Sequence, residues 1–289
     1  MTSYVEGLLG LQNPDGGWSY RRGGSWTEPT CYAILALAAN GMGSTPEVRR
    51  GTQWLRRCQR PDGGIAPRES VAESTWVTAL ALLWPPALAE ASIDRKRAIQ
   101  WVLAQSGRES GWVYRLRLWM MGAPSDIRLQ FDGWPWYPGA AAWVGPTALS
   151  IVAVEKLRRQ GYPAPEIKDR LAQGRAFLLE RRCRDGGWNH GSSKALGYDS
   201  DSYPETTGVA LLALHGVQGP EVSAGIARGE QHLSQCRSHE AANWLRLGLM
   251  AHGRQPAVPA LPPRNGTMET ALEALAEAAR EGRNLFLEA

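Results

Sequence analysis

Two apolar patterns alternate along the chain. The first is amphipathic: over residues 47–59, Val48, Gly51, Trp54 and Leu55 form a stripe at helical spacing with Arg49, Arg50, Arg56 and Arg57 around it, and 94–105, 166–183 and 221–236 follow suit. The second is apolar on nearly every side, over 30–39, 75–84, 147–157, 207–214 and, less regularly, 241–251. A helix with a polar face belongs against water, and one without must be covered all round. The alternation therefore predicts paired outer and inner helices. Five pairs can be counted, and a last helix from about 267 to 281 completes the array.

The pairs are punctuated by a recurring phrase. Asp15-Gly16-Gly17-Trp18 leads to Glu28-Pro29-Thr30, Asp62-Gly63-Gly64-Ile65 to Glu73-Ser74-Thr75, Gly111-Trp112 to Gly145-Pro146-Thr147, and Asp185-Gly186-Gly187-Trp188 to Glu205-Thr206-Thr207. Each copy is one supersecondary unit that needs its neighbours to bury its apolar face. The fold class predicted is all-α, an α/α toroid of five to six inner and outer helix pairs, with an open solenoid as the alternative. The array occupies 1–253, a proline-rich connector 254–266 and a C-terminal helix 267–289. The Glu or Thr at each inner-helix start is expected to cap or complement the helix N-terminus. Asn40-Gly41, Gln160-Gly161, His215-Gly216 and His252-Gly253 mark the other ends, which makes His215 and His252 C-terminal caps rather than metal ligands.

Composition narrows the function classes. Thirteen Trp against three Phe is unusual, and most of the Trp fall at repeat positions. A formal net charge of +4 is a mild bias with scattered basic residues, which suits an anionic ligand or peripheral contact with a membrane surface and speaks against nucleic-acid binding. No secretory leader is recognisable, and no apolar run reaches the roughly 20 residues of a membrane span, so a cytoplasmic protein is expected. Cys31, Cys58, Cys183 and Cys236 show no Cys-x-x-Cys spacing and read as buried free thiols.

Arg50-Gly51, Trp54-Leu55, Gln59 and Gly63, and again Gly174, Phe177-Leu178, Gly186 and Trp188, resemble the QW repeat of the squalene-hopene cyclase and prenyltransferase superfamily. The resemblance runs from residue 1 to about 253 and suggests a single terpene cyclase β domain. Ile65 and Arg182 depart from it, standing where Trp and Gln are usual. It implies that Gln12, Trp18, Gln59, Trp112 and Trp188 tie outer helices together.

The superfamily offers distinct chemistries. Its class II terpene cyclases protonate an alkene or epoxide with the middle carboxyl of Asp-x-Asp-Asp at an inner-helix start. Such an acid must be held protonated in an apolar cavity, and the cations it makes must face aromatic rings. The full motif is absent here. Superposition on the Thr puts Glu205 at the middle position, Glu28 and Glu73 read in the same register, and Tyr198-Asp199-Ser200-Asp201 lies just upstream of Glu205. The catalytic candidates are Asp199, Asp201 and Glu205, and the alternative is a set of acids that complement a helix dipole. Protein prenyltransferase β subunits hold zinc through Asp, Cys and His, a set the two Asp and scattered His do not form, and no Asp-Asp-x-x-Asp exists to hold magnesium. Arg228-Gly229-Glu230-Gln231 lacks the Cys of a thioester domain. No metal or cofactor is expected, unless magnesium accompanies a diphosphate substrate.

Residues 115–139 are read as an insertion carrying Trp134, Trp136 and Tyr137 and followed by Trp143. With Trp26, Trp76 and Tyr203 near other inner-helix starts, these form the expected substrate-binding set, either as an aromatic wall or, for Trp134 and Trp136, as a plug. The leading expectation is a class II-like terpene cyclase acting on an isoprenoid or other hydrophobic small molecule. A non-catalytic toroid that binds a lipid or peptide is the alternative, and a prenyltransferase β-like subunit comes third.

Overall fold

The computed structural model describes residues 3–110, 120, 131–191, 194–195 and 198–288. Among the described residues its regular structure is helical, apart from a two-stranded antiparallel ribbon of β1 (Lys194–Ala195) and β2 (Tyr198–Asp199). The chain divides into two compact units, the first from Met1–Val102, Arg237–Asn243 and Ala260–Ala289, the second from Leu103–Cys236 and Trp244–Pro259.

In the first unit, α1 (Ser3–Gly10) and α3 (Pro46–Cys58) are outer helices, and α2 (Thr27–Ala39) is an inner one. Of the residues of α2 only Glu28 and Ala38 keep some exposure. Side chains such as Ile34, Leu35 and Leu37 each gain roughly 1.5–3 kcal/mol from that burial. The next inner helix is cut short. In place of a helix over 75–84 the chain makes only α4 (Thr78–Ala81), flanked by turns whose amides bond three residues back, and then Pro85 and α5 (Pro86–Ser92); the two prolines, lacking N–H groups, keep α4 from running on into α5. The outer α6 (Arg95–Ala104) follows.

A last inner helix, α12 (Thr267–Arg280), lies against both α2 and α1. Its first N–H, on Thr267, donates to the carbonyl of Tyr20 at 3.0 Å, as that of Thr27 in α2 donates to Pro67 at 2.9 Å. The first and last inner helices are thus joined to the loop beside them by one recurring bond.

The second unit contains the inner helices α7 (Val144–Arg159) and α9 (Pro204–Ala213) and the outer helices α8 (Glu166–Glu180) and α10 (Pro220–Gln235). The helix α11 (His239–Ala251) gives its first residues to the first unit and the rest to the second. Where α9 meets α11 the backbones nearly touch: a Cβ on Gly208 would lie 2.3 Å from the carbonyl carbon of Trp244, and one on Gly248 would lie 2.3 Å from the Gly208 oxygen. Nearby, His252 Nε2 is 2.9 Å from the Leu211 carbonyl and His215 Nδ1 is 2.6 Å from that of Ala251, so these imidazoles bind carbonyls near the ends of neighbouring helices. All four cysteines are free, and Cys236 is half-buried rather than buried.

Candidate functional site

The recurring phrase works as a clip that fixes each loop to an inner helix. The N–H of Trp18 donates to the Thr30 hydroxyl at 2.9 Å, Ile65 to Thr78 at 2.8 Å, Trp134 to Thr147 at 2.8 Å and Trp188 to Thr207 at 3.0 Å. Asp15, Asp62 and Asp185 accept from the backbone of the second Gly after them and from Ser25, Ser74 and Ser202. The Gly between has φ of 96°, 97° and 99° at positions 16, 63 and 186, a conformation that only glycine adopts freely. These threonines cap no helix; they satisfy buried loop amides.

The clip corrects two sequence expectations. The third copy of the phrase is Asp132-Gly133-Trp134, since Trp134 makes the bond to Thr147, and Gly111 and Trp112 lie outside the described residues. In the second copy the clipped threonine is Thr78, not Thr75, so Trp76 and not Glu73 stands in the register of Glu28 and Glu205. Gln12 and Gln59 do link outer helices, reaching the Glu47 and Asp94 carbonyls at 2.8 and 3.0 Å.

The same clip sets Tyr20 two residues beyond Trp18 and Glu28 two before Thr30, and brings them together. The Tyr20 hydroxyl donates to Glu28 Oε2 in a very short hydrogen bond. Glu28 is half-buried, its partner Tyr20 is 40% exposed, and Tyr32 in the same helix is buried. Burial pushes its carboxyl up to about 7; the bond from Tyr20 works against that, and the charge of Glu240 adds to it. Burial, then the adjacent Glu28, pushes the Tyr20 phenol far above its usual range. The result is a carboxylic acid that keeps its proton near neutrality, beside a phenol that stays protonated. Next to it Trp26, half-buried, precedes α2, with its ring centroid 6.0 Å from that of Tyr20 and the Arg68 guanidinium 4.9 Å from its own.

The acids singled out in the sequence lie in the second unit and are more open. Asp199 is exposed on β2 and bonded to the still more exposed Arg184 at 3.1 Å; Asp201 is exposed; Glu205 is half-buried in the first turn of α9. They share one stretch of chain, in which the two Asp are open to solvent and one of them is ion-paired, while Glu205 is half-buried as Glu28 is. Sequence reasoning placed Glu28 in the right register without choosing it. The distinguishing signal is the position two beyond the clip tryptophan, which is Tyr20 here and His190 in the fourth copy.

The aromatic candidates separate by burial. Trp134 is a packing residue: it is 2% exposed, Arg170 covers one face at 3.9 Å, and it fills the hollow over Gly174 as Trp18 fills that over Gly51. Trp136 and Trp76 are half-buried, while Tyr137, Trp143 and Tyr203 are exposed. Trp143 and Tyr203 precede α7 and α9 as Trp26 precedes α2, and Tyr203 lies against His190 with ring centroids 5.2 Å apart.

Ser202, Asp185 and His232 also meet, but not as a nucleophilic triad. Ser202 Oγ binds both Asp185, at 2.8 Å, and His232 Nε2, at 2.7 Å, whereas a triad needs the imidazole between the other two. Partial burial pushes Asp185 up, but hydrogen bonds from Ser202 and Gly187 and the Arg228 charge outweigh it and hold the carboxyl below its usual range. Among the described residues no three His, Cys, Asp or Glu side chains gather as a metal site would, and no helix is long and apolar enough to cross a membrane. A cleft of about 770 Å3 lies in the first unit and one of about 380 Å3 in the second; neither is lined by Glu28 or by the Asp pair.

No protein-family model matches the chain. It is 22% identical over 218 residues to the squalene–hopene cyclase of Bradyrhizobium diazoefficiens, covering 67% of this chain and 30% of that protein. Over 67 residues it is 40% identical to the drimenyl diphosphate synthase of Streptantibioticus cattleyicolor, covering 22% of this chain and 12% of that one. The chain thus spans less than a third of the length of these curated relatives. Among solved structures, the type II terpene cyclase MstE from Scytonema matches with a TM-score of 0.54 at 17% identity, over 98% of this chain and 77% of that one. A GH8 endo-β-1,4-glucanase from an Achatina fulica gut metagenomic library matches with a TM-score of 0.63 at 12% identity, over 97% and 98%. These likenesses show the fold, that of the α/α toroid enzymes, and together with the sequence relatives they make it squalene–hopene-cyclase-like. Toroids of this class serve other enzymes too.

Proposed function

We propose that the chain acts as a class II-type terpene cyclase module in which Glu28 is the proton donor. The observation that carries this is the Glu28 carboxyl with its affinity for a proton raised to about 7, held by Tyr20 at the start of an apolar inner helix. In the step envisaged, Glu28 gives its proton to one carbon of an isoprenoid alkene, and the other carbon becomes the cation. The hydrogen bond from Tyr20 stabilises the carboxylate left behind, which makes proton release less costly. Trp26 offers an aromatic face near the developing charge. The cation ends by losing a proton from a neighbouring carbon or by capture of water, and Glu28 regains its proton from solvent. The two curated relatives favour this chemistry over that of the glycoside hydrolases, whose likeness is one of fold alone.

The test is product analysis by mass spectrometry after incubating the protein with squalene, farnesyl diphosphate and geranylgeranyl diphosphate, with and without magnesium. Cyclised product from wild type and from Asp199→Asn/Asp201→Asn, lost in Glu28→Gln, supports the assignment. Product retained by Glu28→Gln and lost in the Asp variant returns the acid role to the pair before α9. A folded protein that turns over none of the panel favours the second reading, a binding module that uses the same aromatic mouth. That reading draws on the openness of Asp199 and Asp201 and on the short span of the relatives covered.

A further inference from the structure

The cleft of about 770 Å3 in the first unit is lined largely by basic and neutral polar residues. Arg21, Arg22, Arg264, Asn265, Ser3 and Thr270 contribute to it, and among the described residues lining it there is no carboxylate. Arg21 and Arg22 form no ion pair with any described residue and are exposed. Arg264 is fixed differently. Its guanidinium lies 5.0 Å from the Tyr4 ring centroid, and its Nη1 is 3.6 Å from Glu273, too far for a hydrogen bond, so that this buried nitrogen has no acceptor. The other acid in this part of α12, Glu269, is engaged by the Asn265 N–H. Three arginines therefore line one concave space, and of these Arg264 is ion-paired with Glu273 while Arg21 and Arg22 have no ion pair with a described residue.

We propose that this cleft binds a phosphate-bearing anion, with Arg21 and Arg22 supplying charge and forked donors and Arg264 with Asn265 supplying the fixed wall. A guanidinium presents paired N–H groups that match the oxygens of a phosphate, and a group of two linked phosphates spans several such forks at once. A volume of about 770 Å3 exceeds what one phosphate fills, which leaves room for a diphosphate with an attached chain. The site is separate from Glu28, but Tyr20 joins the two: its hydroxyl binds Glu28, its carbonyl receives the Thr267 N–H at the cleft edge, and Arg21 is the next residue.

The experiment is isothermal titration of the full chain with inorganic pyrophosphate in low-salt buffer, comparing wild type with Arg21→Gln/Arg22→Gln and with a charge-matched control, Arg108→Gln/Arg184→Gln. Both pairs are exposed, so the variants are expected to fold. The expected result is saturable binding that weakens about tenfold or more in the first variant, is unchanged in the control and falls as salt rises. No binding to wild type, or equal weakening in both variants, overturns the proposal. Farnesyl diphosphate and farnesol distinguish the sources of the phosphate. Tighter binding of farnesyl diphosphate than of pyrophosphate, lost with farnesol, identifies the site with the head of a substrate, and equal binding of the two phosphates identifies it with a free anion. Glu28→Gln should retain pyrophosphate binding, so failure of this inference and failure of the acid assignment read out separately.

Discussion

The Tyr20 phenol donates its hydrogen bond to Glu28 and so opposes the burial that keeps Glu28 protonated. Removing that donor leaves the carboxylate worse solvated. Tyr20→Phe should therefore raise the affinity of Glu28 for its proton above the present value of about 7, by at least about one pH unit. The shift is to be read in a titration of the carboxyl infrared band that is absent from Glu28→Gln. A band that titrates lower in the variant would contradict the arrangement.

A pH dependence of stability follows. The folded state holds the Glu28 proton up to about pH 7, whereas a free carboxyl releases it near 4.5. The fold binds the extra proton, so stability declines as pH rises between these values, and the full loss is present above about 7. Allowing for the residual surface of Glu28, the loss is roughly 1–3 kcal/mol. Glu28→Gln, which keeps the shape and an acceptor for Tyr20, should gain stability over wild type at pH 8 and lose that advantage at pH 4. Urea unfolding at the two pH values measures it.

The contact of α9 with α11 has no room for a methyl group. Gly208→Ala or Gly248→Ala sets a Cβ against backbone that cannot rotate away, and each should cost about 1–3 kcal/mol or more as the helices part. Gly10→Ala, where a Cβ meets nothing within 4 Å, serves as control and should be neutral or stabilising. Melting temperatures of the three variants decide.

Thr147→Val tests the third clip. The valine keeps the shape and removes the acceptor of the Trp134 amide, leaving a buried N–H unpaired at a cost of about 1–3 kcal/mol. Thr75→Val, outside the clip of its repeat, should cost less. Equal losses in chemical denaturation would mean the clip has been assigned to the wrong threonine.

What was legible in the sequence was what is written locally. The alternation of amphipathic and wholly apolar helices follows from side-chain spacing, and Gly16, Gly63 and Gly186 mark turns that only glycine makes easily. The registers were less secure. Gly111-Trp112 read as the third phrase because it follows an outer helix at the usual interval, while the Trp134 that carries the bond to Thr147 lay inside what looked like an insertion. Thr75 read as the second anchor because it follows Glu73 and Ser74, and the chain uses Thr78, further along, instead. Glu28 was hidden for a different reason. Its raised proton affinity comes from burial, which leaves no mark on the neighbouring residues, and the phenol that binds it shows only as a Tyr two places beyond Trp18.

The bond from the Thr267 amide to the Tyr20 carbonyl has a consequence for how the protein comes into being. On the ribosome the loop bearing Tyr20 and the helix bearing Glu28 are made well before the segment that anchors the one and lies against the other. Until then the apolar side of α2 that will lie against α12 has no cover, and Tyr20 has one fewer restraint. Contacts so distant in sequence form late and slowly. The Tyr20–Glu28 pair thus gains its last anchor only when a contact between segments far apart in sequence has formed.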